Sequence, residues 1–196
     1  MRFIKCASLK KKIVNLVVMQ KRNHNSGSAI IRDVILGGQD GIVNVLGIVL
    51  AVATATHSKY IILISGLAAT FAESISMAAV GYTSAKAGKE FYVKKGFKHS
   101  MFEEFAHPVR DSVIIGVAAI VGSLIPVVPF FFLPIGSAWW AALVFATAAL
   151  FGIGFFKAKQ MGINPWKSGT ELAVVGMTAA IAGYVIGALL GALPLG

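Results

Sequence analysis

Five stretches of this chain are long and apolar enough to cross a hydrocarbon core as helices: Val34 to Ala55, Tyr60 to Ala85, Val109 to Phe132, Ser137 to Phe156 and Gly169 to Leu193. A bilayer core about 30 Å thick needs roughly 20 helical residues, because no water inside it can satisfy an open backbone. With 57% hydrophobic and 13% charged residues, the chain has too little polar surface to cover a soluble globule. The expected fold is an all-α integral membrane protein with five transmembrane helices. Pro134 and Gly136 mark a hairpin turn between spans three and four. His107-Pro108-Val109-Arg110 and Asn164-Pro165-Trp166-Lys167 each put a proline where a first helical turn accepts it. A shared way of starting a helix explains that pair better than a vestige of duplication.

Charge orients the spans. Lys and Arg cluster before span one, between spans two and three (Lys86, Lys89, Lys94, Lys95, Lys98, Arg110) and between spans four and five (Lys157, Lys159, Lys167), whereas the opposite side holds almost only Lys59. The positive-inside rule then places the N-terminus in the cytoplasm and the C-terminus outside. The formal charge of +10 belongs to that face, with anionic lipid head groups as its partner rather than nucleic acid. The cell membrane is the expected location.

Residues 1–28 read as a basic cytoplasmic arm ahead of a five-span transporter domain, 29–196. The short apolar patch Ile13 to Met19 is followed by Gln20, Lys21 and Arg22 rather than by small residues, so it is a poor signal peptide. A surface-lying arm is expected, or else translation starts at Met19. Cys6, the only cysteine, allows no intramolecular disulfide and no cysteine-based metal site.

Within the spans, the ionisable residues carry the functional signal. Asp40 lies in span one and Glu73 with Met77 in span two; an acid at bilayer depth costs roughly 2.5–3.5 kcal/mol even on the lenient insertion scale. At about 1.5 Å per residue, Asp40 lies roughly 9 Å above the start of span one, and Met77 and Glu73 roughly 12 and 18 Å from the same side. The three fall in overlapping layers. Glu73 and Met77, four apart, share a helix face, as do Asp33 and Asp40, seven apart, with Asp33 at the cytoplasmic mouth. Carboxylates take hard and borderline cations, and a thioether adds preference for softer transition metals. Fe²⁺ fits that mixture, and Mn²⁺ is compatible with it. An acid that loses its metal at this depth can take a proton instead, which is the basis for metal/proton exchange. Acids that only fasten helices, and a methionine that only packs, are the bland alternatives.

Ile31-Arg32-Asp33-Val34-Ile35-Leu36-Gly37, Asp40-Gly41, Ser65-Gly66-Leu67-Ala68, Ser76-Met77, Gly81-Tyr82, the run Gly122 to Pro129 and Asn164-Pro165 resemble the vacuolar iron transporter family from about Ile30 to Gly191. The resemblance implies a five-span homodimer that exports Fe²⁺, often also Mn²⁺, from the cytoplasm in exchange for protons, along a path between the first two helices. It matches Asp40 to the family's membrane-embedded aspartate, Met77 to its span-two methionine and Asp33 to the acid near the mouth. The acid that the plant-type pattern places early in span two corresponds to Ala69 here; Glu73, one turn later, is expected to replace it. The long acidic insertion of plant-type members is also missing, since Lys86 to His107 is short and mostly basic. There, Glu103 and Glu104 with His99 or His107 make a small loading site, or are incidental acids of a solvated loop.

Gly183, Gly187 and Gly191 form a small-residue stripe on span five, suited either to packing within one subunit or to a dimer seam. A two-fold axis beside span one would bring Asp40 to its symmetry mate. A passive channel and a non-transporting scaffold or metal sensor remain the other function classes. An enzyme is not expected, and neither is a tightly bound cofactor: no nucleophile and base come together in sequence, no glycine-rich phosphate loop occurs, and His24, His57, His99 and His107 are scattered.

Overall fold

The computed structural model describes residues 26–94 and 107–193. It comprises helices α1 (Ser26–Thr56), α2 (Lys59–Lys94), α3 (Pro108–Phe132), α4 (Ile135–Met161) and α5 (Pro165–Gly191). All five are long and apolar enough to cross a membrane. The chain divides into two compact units, Met1–Arg32 and Asp33–Gly196. Of the first, the described part is the opening of α1; the arm up to residue 25, with Cys6 and His24, lies outside the described residues. The second unit holds the rest of α1 and the other four helices.

Each expected span is a helix, and most are longer than their apolar run. The largest difference is at α2, which continues to Lys94 where a loop from Lys86 onward was expected. Lys86 pairs with Glu90 one turn along at 4.0 Å, and Lys94 sits in the last turn, where a cation meets the carbonyl end of the helix. Hydropathy marks the end of the hydrocarbon, not the end of the helix. Gly136 likewise lies inside α4; the turn from α3 is made at Leu133 and Pro134, with Pro134 as the N-cap. Pro108 and Pro165 occupy the first turns as expected. Asn164 caps α5, its side-chain oxygen accepting from the backbone N–H of Trp166 at 3.1 Å and of Lys167 at 3.4 Å, which satisfies donors the helix leaves open. Gly162, at φ 68°, ends α4 in the left-handed conformation that glycine adopts without a steric penalty.

The core is centred on α1. Its Ile42, Val45, Leu46, Val49, Leu50 and Ala53 are buried with Ile62 of α2, Val127 and Phe130 of α3 and Leu150 of α4. Small residues set how closely the helices approach. A Cβ on Gly37 or Gly41 would run into the carbonyl oxygens of Ile115 and Ala119, so α1 and α3 touch backbone to backbone. On another side of α1, Gly183 and Gly187 meet the backbone of Gly47 and Ala51, and Gly191 meets Ala55. The stripe on α5 is therefore filled within the subunit. Backbone approach of this kind is how helices associate where lipid is as apolar as their side chains.

Candidate functional site

The close packing of α1 leaves its remaining side for polar residues. Asp40 is half-buried there, and Asn44 follows one turn later. Facing them from α2 is Glu73. The Asn44 amide donates through Nδ2 to Glu73 Oε1 at 2.9 Å, and the carboxyl of Asp40 lies close enough to that of Glu73 for the two to interact. Two sequence candidates are thus brought together, with an amide between their helices. Contact between Gly66 and Val49 and the bond between Glu73 and Asn44 fix an antiparallel register. One further turn brings Met77 level with Asp40. Met77 is half-buried and shares its helix face with Glu73.

The neighbouring hydroxyls are used locally. Thr70 donates to the carbonyl of Gly66 at 2.8 Å and Ser74 to that of Thr70 at 2.6 Å, so these two hydroxyls are used within α2, whereas Glu73 reaches across to α1. Ala69, at the position to which the plant-type pattern gives an acid, packs against the hydrophobic core. The turn that carries Glu73 is the one that meets Asp40.

The other candidates fall elsewhere. Asp33 is 2% exposed; since Gly37 packs on Ile115, one turn earlier brings Asp33 level with Asp111. That aspartate is also buried and is held by Arg110, whose Nε and Nη2 donate to one oxygen at 3.0 and 2.9 Å. Glu103, Glu104 and His99 lie outside the described residues, while His107 is exposed ahead of α3 and makes no side-chain cap bond. Glu90 is exposed and paired with Lys86. Among the described residues no three His, Cys, Asp or Glu side chains converge, so one chain offers two carboxyls, an amide and a thioether. Sequence reasoning missed Asn44, although its spacing of four from Asp40 was readable. It also passed over Glu171, an exposed acid on α5 within the fifth apolar run.

The chemistry of the pair is restrictive. An ionised carboxylate only accepts hydrogen bonds, so two in contact need a proton or a cation between them. Asn44 can donate through its amide hydrogens and accept through its oxygen, which lets it follow either condition.

The VIT family model matches residues 31–100 and 90–188. Similar proteins include vacuolar iron transporter 1 of Tulipa gesneriana, 22% identical over 88% of this chain and 92% of its own length. An uncharacterized protein of Methanocaldococcus jannaschii is 28% identical over 90% and 94%, and the vacuolar iron transporter of Toxoplasma gondii 27% identical over 87% and 78%. The named relatives are transporters, not enzymes. Because the two matched segments between them reach into all five helices, the chain belongs to the VIT family.

Proposed function

We propose that this protein carries a divalent transition metal, Fe²⁺ or Mn²⁺, out of the cytoplasm across the cell membrane in exchange for protons, with Asp40, Glu73 and Met77 handling the metal between α1 and α2. The observation that carries this reading is the contact of Glu73 with both Asp40 and Asn44. A pair of carboxyls that must hold either a proton or a cation is a place where one can be traded for the other. Met77, level with Asp40, adds the softer donor that favours a transition metal. Asp33 serves the mouth of the path, and the clustering of Lys and Arg at one end of the helices orients that mouth toward the cytoplasm.

A second copy of the chain completes the path. Asn44 is exposed in the single subunit, as are Ile48 one turn along α1 and Ser76 on α2, and an amide beside two carboxyls is costly to leave facing lipid. An isologous dimer closing over this face covers the polar groups and doubles the number of carboxyls at the metal.

Flux of Fe²⁺ and Mn²⁺ into proteoliposomes with an imposed pH gradient tests the proposal. Wild type is expected to respond to the gradient and Asp40→Asn to lose transport. Flux that ignores the gradient replaces exchange with passive conduction. Normal transport by Asp40→Asn overturns the mechanism. Cysteine crosslinking along α1 tests the dimer; absence of any symmetric crosslink counts against it.

A further inference from the structure

On the side of α1 away from Asp40 and Asn44, a groove of about 490 Å³ runs between α1, α3 and α4. Its floor is the place where Gly38 and Gly122 meet, a Cβ on Gly122 being blocked by the Gly38 backbone. Val34, Ile42, Val117, Val121 and Ile153 are among its walls, and every lining residue is apolar. Val117 and Val121 are 54% and 61% exposed. Along α3 the lining extends from Val113 to Ile125, about 18 Å of helix. That is close to one leaflet of a core about 30 Å thick.

The groove opens at the basic end of the helices. Lys157 lies one turn beyond Ile153 on α4, and Arg110 three residues before Val113 on α3. Because Gly38 contacts Ile153, Lys157 comes level with Val34 at the mouth. Arg110 directs Nε and Nη2 to a single oxygen of Asp111, which leaves Nη1 for another acceptor. Lys157 has no carboxylate partner among the described residues.

We propose that this groove is a binding site for an anionic phospholipid, with one acyl chain lying along Gly38 and Gly122 and the head-group phosphate held by Lys157 and Arg110. An apolar trough one leaflet deep, ending in a lysine with no carboxylate partner and an arginine with a nitrogen to spare beside Asp111, matches such a lipid in both chemistry and length, and basic pockets between helices are known to hold anionic head groups. Ile42 sits about 200° around the helix from both Asp40 and Asn44. The lipid and the proposed dimer therefore use different sides of α1, and the two proposals stand or fall separately.

Native mass spectrometry of delipidated protein titrated with phosphatidylglycerol or phosphatidylcholine tests it. Wild type is expected to retain one phosphatidylglycerol per chain at detergent levels that strip phosphatidylcholine. Lys157→Gln should weaken phosphatidylglycerol binding about fivefold, the scale of one basic residue near an anionic surface, and leave phosphatidylcholine unchanged. Val121→Trp, an exposed position that tolerates bulk, should displace both. Unaltered phosphatidylglycerol retention in both variants overturns the site. A shift in subunit stoichiometry with Val121→Trp, without a change in bound lipid, would instead identify the groove as a contact between copies and also overturn it.

Discussion

Toward α3 and α5, helix α1 presents Gly37, Gly41, Gly47 and Ala51 and meets its neighbours backbone to backbone; toward α2 it presents Asp40 and Asn44 and meets Glu73 through side chains. The first kind of contact has no rotamers to rearrange, so it fixes where α1 stands. The second consists of groups that can change partner, accepting a proton, an amide hydrogen or a cation in turn. A site that must bind and release works best on a rigid support. One helix supplies both, on different sides.

That division can be broken first on its polar side. Asp40→Asn should leave the helices assembled while metal flux in proteoliposomes falls by at least the roughly 10–100-fold seen when groups around a metal are altered. Loss of folding in this variant, read by size-exclusion chromatography, would mean the acid is structural. On the packed side the expectation reverses. Gly37→Val or Gly41→Val forces α1 away from α3 and should cost about 1–3 kcal/mol or more, seen as a lowered Tm in detergent with flux lost in proportion to the unfolded fraction. A stable Gly37→Val protein would remove the rigid support from the comparison.

Smaller effects sharpen the contrast. A double-mutant cycle on Asn44→Ala and Glu73→Ala should give a coupling of about 0.6 kcal/mol, the average for hydrogen bonds between membrane helices. Glu73→Gln keeps an oxygen for Asn44 and should retain that coupling while losing transport. Least affected is Gly152→Ala, because nothing lies within 4 Å of a Cβ placed there. It should leave Tm unchanged or raise it by the few tenths to 1 kcal/mol gained when a helix glycine becomes alanine.

Hydropathy was sufficient for the five helices, because a lipid-facing helix declares itself by length alone. It could not find their ends: the continuation of α2 to Lys94 is polar, with Lys86 facing Glu90 one turn on, and a hydrophobicity window scores such a stretch as loop. Asp40 and Glu73 stood out as expensive residues in apolar runs, and depth counting put them in overlapping layers. Asn44 did not, since a neutral amide raises no alarm, and only its helical spacing from Asp40 ties it to the pair. The glycine stripe on α5 was visible too, but a stripe names no partner. Only the tertiary register assigns it to Gly47 and Ala51.

Helix α2 has 36 residues and so is about 54 Å long, well beyond the 40–45 Å of a bilayer with its head groups. From Glu73 to Lys94 it is uninterrupted. An unbroken helix of that length is stiff, so the turns around Glu90 and Lys94 and the turn that bears Glu73 belong to one rod. The Glu73 carboxyl and the charged last turns of α2 are thus joined by about 30 Å of continuous helix, so that a displacement of one end is a displacement of the other.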